Sequence, residues 1–142
     1  MPEPIDVVRS FFEQVNREGS VAAFERWLAP EVVWENAGAP TCNGRDACIA
    51  FDRGGAEMLG YDHWTAELRG IAADGDLVLT DRIDRLIKAD GSVLIDIEVM
   101  GSLRIAGEQI VEWREYFNPI PLAGLVGGEA PSWIEAAREG ES

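Results

Sequence analysis

Apolar residues at Ile5, Val8, Phe12 and Val15 recur at three- and four-residue spacing, which predicts a helix over residues 5 to 17 with one apolar stripe. A second short stripe, Val21, Phe24, Trp27 and Leu28, follows Ser20. The Ser20 hydroxyl is expected to cap this helix and Pro30 to stop it. Glu31 to Asn36 is short, β-branched and aromatic, and it runs into Ala37-Gly38-Ala39-Pro40, the pattern of a strand entering a loop. Asn43-Gly44-Arg45-Asp46 reads as a helix start, with Asp46 in the first turn where the helix dipole favours an anion. Ala47 to Leu59 continues it, weakened in the middle by Gly54-Gly55.

From His63 onward the period changes to two. Residues 64–73, 77–88, 93–105 and 109–118 read as strands, joined by the tight-turn pairs Asp74-Gly75, Asp90-Gly91 and Ala106-Gly107, so an antiparallel meander is expected. Beyond Asn118-Pro119 the composition turns to Gly, Pro and Ala. A short helix is expected from Ser132, with Glu135 closing a capping box and Trp133 anchoring it to the body. The chain is read as one domain over 1–142, with 119–142 a C-terminal extension. Helices first and sheet afterwards predict an α+β fold, a curved antiparallel or mixed sheet wrapped around the N-terminal helices. Such a cone encloses an interior pocket.

Composition narrows the partners. The 142 residues carry 12 Lys plus Arg against 26 Asp plus Glu, a formal net charge of −14. That field repels phosphate backbones and anionic lipid heads, so neither nucleic acid nor a membrane is expected, and a neutral or cationic small molecule is. No apolar run approaches the roughly 20 residues of a membrane helix. The acidic N-terminus, Met1-Pro2-Glu3-Pro4-Ile5-Asp6, does not resemble an export signal. Cys42 and Cys48 form neither a disulfide framework nor a zinc motif. They are read as reduced packing residues of a cytoplasmic protein. The single histidine, His63, leaves no HExxH metal site and is read as a surface or loop residue. No cofactor or metal is expected. Chemistry must rest on carboxylates.

Side chains alternate across a strand, so Arg82 and Asp84 share a face, as do Val111, Trp113, Glu115 and Phe117. Glu115 thus lies within an apolar stripe, where an ionised carboxylate is costly unless a cation meets it, and Arg82 on a neighbouring strand is the natural candidate. Trp34 and Asn36 share a face of the first strand. A one-residue bulge would instead leave Glu115 on the surface and Arg82–Asp84 an ordinary solvated pair. Trp27, Trp64, Trp113, Met58, Met100 and Phe117 read as core or pocket lining. The row Ile95, Ile97 and Val99 is either a pairing surface between two copies or pocket wall.

Trp34-Glu35-Asn36, Gly44-Arg45-Asp46-Ala47, Thr80-Asp81-Arg82-Ile83-Asp84 and Trp113-Arg114-Glu115-Tyr116-Phe117 resemble, in order and spacing, the motifs of the limonene-1,2-epoxide hydrolase family. That family belongs to the SnoaL-like, nuclear-transport-factor-2-like fold, and the resemblance spans roughly residues 5 to 120. It implies a cofactor-independent enzyme, paired as a homodimer, in which water opens an apolar, cyclic or terpenoid-like epoxide directly to a vicinal diol. It implies further that Arg82 holds the two carboxylates, Asp84 protonates the epoxide oxygen, Glu115 activates the water and Asn36 helps to hold it. Two positions depart from the pattern: Glu115 stands for an aspartate and Trp34 for a tyrosine. Two other readings suit the same pocket, a ketosteroid-isomerase-like or polyketide-cyclase-like proton transfer, and a non-catalytic binding protein for a small ligand.

Overall fold

The computed structural model describes residues 2–36 and 38–127. Helix α1, Pro4–Glu18, buries Val7, Val8, Phe11, Phe12 and Val15, a broader stripe than the four predicted positions. The Glu3 backbone N–H donates to Asp6 Oδ2 at 3.2 Å, fixing the first turn. Helix α2, Ser20–Trp27, buries Ala23 and Phe24. Ser20 is its first helical residue rather than its cap, and its hydroxyl donates to Asp52 Oδ2 at 2.6 Å.

Pro30 does not stop α2. The helix ends at Trp27 and strand β1, Leu28–Asn36, begins at once, carrying Pro30 inside it. Leu28 and Ala29 are almost fully buried, so burial draws the chain into the sheet before the proline is reached. Pro30 falls where the register of β1 against its neighbour is interrupted, between Leu28 and Val33, a place where a missing N–H breaks no ladder bond. A two-residue strand β2, Cys42–Asn43, pairs antiparallel with β1 and was not predicted. Helix α3, Arg45–Leu59, runs unbroken through Gly54 and Gly55, and ends at Gly60 in the left-handed conformation.

Strands β3 (His63–Asp74), β4 (Leu77–Ile87), β5 (Val93–Ala106) and β6 (Gln109–Phe117) form the expected antiparallel meander. The sheet order is β2-β1-β6-β5-β4-β3, with β1 parallel to β6, so the sheet is mixed. Asn16 of α1 pins the edge strand β3: its Nδ2 donates to the Ala66 carbonyl at 2.8 Å and its Oδ1 accepts from the Ala66 N–H at 2.7 Å. Phe11, Phe12 and Phe24 pack edge-on against Trp113, which stacks on Trp34 with ring centres 4.4 Å apart.

The inner face of β5 carries Ile97 and Val99, which line an interior cavity, so these two of the ambiguous row are pocket wall, while Ile95 packs half-buried against the core. Met100, expected inside, points outward and is exposed, because alternation puts it opposite Val99. A short helix α4, Ile120–Leu125, follows β6 and sends Leu122 and Ala123 into the cavity wall. The helix expected from Ser132, with Trp133 and Glu135, lies outside the described residues. Both cysteines are buried free thiols, and burial pushes Cys48 up to about 12. No described helix is long and apolar enough to cross a membrane.

Candidate active site

Thr80, Arg82 and Asp84 project from one face of β4 towards the helices, and Glu115 reaches them from β6. All five N–H donors of Arg82 are engaged. Nε donates to Asp84 Oδ1 at 3.1 Å, and Nη2 donates to Asp84 Oδ2 at 2.8 Å and to Glu115 Oε1 at 2.7 Å. Nη1 donates to Glu115 Oε2 at 3.1 Å and to Thr80 Oγ1 at 3.2 Å. One planar guanidinium therefore grips two carboxylates, each through two bonds, a geometry that lysine cannot supply. Its carbon lies 4.4 Å from the centre of the Phe12 ring, which closes the remaining face.

The Arg82 side chain is 0% exposed, Glu115 4% and Asp84 13%, so the cation lies deepest and the two acids lie between it and the cavity. Burial works against the Arg82 charge, but Glu115 and Asp84 outweigh it and raise its pKa. Burial pushes Glu115 up to about 7; Arg82 pulls the other way, and Asp84, a like charge, adds to the rise. With one proton shared between the two carboxyls the buried cluster is neutral, which is the cheapest state for an interior of low dielectric.

The cavity has a volume of about 570 Å³ and a mostly apolar wall, into which Asp84 and Glu115 bring the paired carboxyls. Trp34 and Asn36 also line it. In the parallel pairing of β1 with β6, Trp34 stands beside Trp113 and Asn36 beside Glu115. Among the described residues, Trp34 Nε1 and Asn36 Nδ2 are buried donors without a hydrogen-bond partner. Two paired acids, one cation and unpaired donors in an apolar chamber make an arrangement suited to moving protons to and from a neutral ligand.

The family model for the limonene-1,2-epoxide hydrolase catalytic domain matches residues 2–123. The chain belongs to the limonene-1,2-epoxide hydrolase family. Over 110 residues it is 31% identical to the epoxide hydrolase EphG of Mycobacterium tuberculosis, covering 74% of this chain and 70% of that protein. The solved structure of an M. tuberculosis LEH-like epoxide hydrolase superposes with a TM-score of 0.69 at 27% identity, covering 88% of this chain and 90% of the other. A putative SnoaL-like polyketide cyclase from Jannaschia sp. CCS1 shares the fold, with a TM-score of 0.69 at 17% identity and 90% and 92% coverage.

Within this family member, the four predicted residues Trp34, Asn36, Asp84 and Glu115 all line the cavity, and Arg82 stands behind the two acids and joins them. The bulge that would have turned Glu115 outward is absent at that position: Gly101 faces it in regular register. Thr80 and Phe12, which complete the Arg82 shell, were not singled out, although Thr80 shares the alternation of Arg82 and Asp84. Asp52 was also missed. It lines the cavity from α3, accepts from Ser20 Oγ at 2.6 Å and from Trp64 Nε1 at 2.7 Å, and burial raises its pKa. Its signal was its place one turn after buried Cys48, on the apolar face of α3. His63 is exposed, beside Asp62, as expected.

Proposed function

We propose that the protein is a cofactor-independent epoxide hydrolase that opens an apolar, cyclic or terpenoid-like epoxide to a vicinal diol by direct attack of water. The observation that carries this reading is the pair of carboxyls held side by side by Arg82 at the wall of an apolar chamber. Epoxide opening needs a base for the water and an acid for the departing oxygen at one pH, and a pair retaining one proton supplies both. Glu115 takes a proton from water as the water oxygen bonds to one epoxide carbon. The C–O bond breaks, and its electron pair receives the proton of Asp84. The pair ends with the proton it began with, now on Glu115, and Arg82 holds both acids in place throughout. Trp34 supplies one N–H donor to the water oxygen, leaving its other lone pair free to attack, and Asn36, beside Glu115, helps to hold the water through its side-chain amide. Family membership supports the reaction class, and the apolar wall supports the substrate class.

The test is one turnover in oxygen-18 water with a panel of cyclic and terpene epoxides. Label in the diol from that first turnover is expected, together with a rate loss of about 100-fold or more in Glu115→Gln and in Asp84→Asn. Wild-type rates in either folded variant would remove that residue from the chemistry.

A second reading rests on Trp34, which donates a hydrogen bond but cannot accept one. Donor groups beside a carboxyl also suit a carbonyl oxygen gaining charge while a neighbouring proton is removed, the chemistry of isomerases and cyclases. Exchange of substrate α-protons in deuterated solvent, without diol formation, would favour it. Tight binding of a small apolar ligand without either reaction would favour a binding protein. For assembly, the outer sheet face with exposed Met100 and Tyr116, register partners on β5 and β6, is the surface we assign to a homodimer. Sedimentation of wild type against Met100→Glu checks it.

A further inference from the structure

Gly101 lies in the middle of β5 with its inner face between the buried side chains of Val99 and Leu103. It pairs with Thr80 of β4 on one side and with Glu115 of β6 on the other. Its backbone is not in the left-handed region, so nothing in its conformation calls for glycine. Space does. A Cβ at this position would stand 2.5 Å from Glu115 Oε2, 3.0 Å from Arg82 Nη1 and 3.3 Å from the Arg114 carbonyl oxygen. The ion pair between β6 and β4 therefore passes directly over the bare Cα of the strand between them.

We propose that Gly101 is a positioning residue for this site, forming the trough through which the long Glu115 side chain reaches Arg82, so that glycine at 101 and glutamate at 115 act as one unit. A glycine inside a strand commonly marks close approach of another group, and here that group is the carboxylate itself. Any side chain at 101 pushes Glu115 back from Arg82, while an aspartate, shorter by one methylene, withdraws its carboxylate towards β6 and clears the added carbon. The effect on turnover rests on the hydrolase reading above; the effect on the Glu115 carboxyl does not.

The test compares Gly101→Ala, Glu115→Asp and the double variant, by single-turnover diol formation and by carbon-13 NMR titration of the glutamate side-chain carboxyls. Gly101→Ala is expected to lower kcat by about 100-fold with KM within about threefold, because a displaced base costs rate rather than binding. It is also expected to move the midpoint of the most perturbed glutamate resonance. Adding Glu115→Asp should then recover about tenfold over Gly101→Ala alone. Unchanged turnover and titration in Gly101→Ala, or a double variant no faster than the single, would overturn the proposal. If the wild type opens no epoxide, the hydrolase reading fails and the titration still decides this one. If Gly101→Ala does not fold, Gly101→Ala/Glu115→Ala is compared with Glu115→Ala alone: equal stability of the two places the clash at Glu115, and a double variant far less stable than Glu115→Ala refutes it.

Discussion

Arg82 and Glu115 are joined by two hydrogen bonds, 2.7 and 3.1 Å long, although they stand on β4 and β6 with β5 between them. The same guanidinium holds Asp84 through two further bonds. Its work is therefore geometric as well as electrostatic, since it fixes the relative placement of both acids. Arg82→Lys keeps the charge and loses the fork. We expect turnover to fall about 100-fold and stability by roughly 3 kcal/mol, because an ammonium has three N–H donors for the five hydrogen bonds that Arg82 makes and leaves buried carboxylate oxygens unpaired. Urea unfolding and single-turnover kinetics on the same preparation check both numbers.

The carboxyl pair fixes the expected pH dependence. The Glu115 carboxyl sits at about 7, raised by burial and by the neighbouring charge of Asp84, so it reports the departure of the pair's last proton. Below about pH 7 the proton that Glu115 reports is kept in the site and can be passed to the epoxide oxygen; above it, Glu115 is ionised and that acid is gone. The single-turnover rate should therefore fall about tenfold per pH unit on the alkaline side of 7. A rate flat to pH 9 would contradict the shared-proton account.

Asn36 offers a way to move that limb. It is the register partner of Glu115 across the parallel pair β1 and β6, where neighbouring strands run about 4.8 Å apart. Asn36→Asp sets a third carboxylate beside the pair, and a like charge opposes ionisation of Glu115. The alkaline limb should shift to higher pH, by on the order of one unit, while the rate at its maximum falls because an amide donor is lost. A pH–rate profile of the variant shows the shift directly.

The period-two alternation made the acid pair legible, because it fixes which residues share a face without reference to anything distant. Arg82 with Asp84, and Glu115 with Trp113, follow from it, and Thr80 was readable by the same rule. Alternation does not say which face is inward, which is why Ile97 and Val99 were ambiguous and Met100 was misplaced. Nor does it say which strands are neighbours. The insertion of β1 beside β6, which carries Trp34 and Asn36 to the cavity, is a long-range pairing with no local signal. The role of Gly101 is equally invisible in sequence, because it lies in the absence of an atom at one crossing. Pro30 was read by its local rule as a helix stop, and the burial of Leu28 and Ala29 overrode that rule.

Asp52 shares the cavity wall with the catalytic candidates but has a different setting, and its variants should separate the two. It accepts hydrogen bonds from Ser20 of α2 and Trp64 of β3, so one carboxylate on α3 ties three elements together. Removing it in Asp52→Ala leaves the Trp64 N–H buried without a partner, and we expect a loss of about 2 kcal/mol in urea unfolding at pH 7. Asp52→Asn keeps an acceptor for Trp64 and removes the buried charge. Burial raises the folded-state pKa of Asp52 above its ordinary value, so the contribution of this group is most favourable below that ordinary value and is lost as the pH rises. The ionised form thus carries a cost at pH 7 that the amide lacks, and Asp52→Asn should unfold within about 1 kcal/mol of wild type there, or later. Turnover in Asp52→Asn should remain far above that of Asp84→Asn. Equal losses in the two variants would make Asp52 a participant in the reaction and reopen the assignment of the acid.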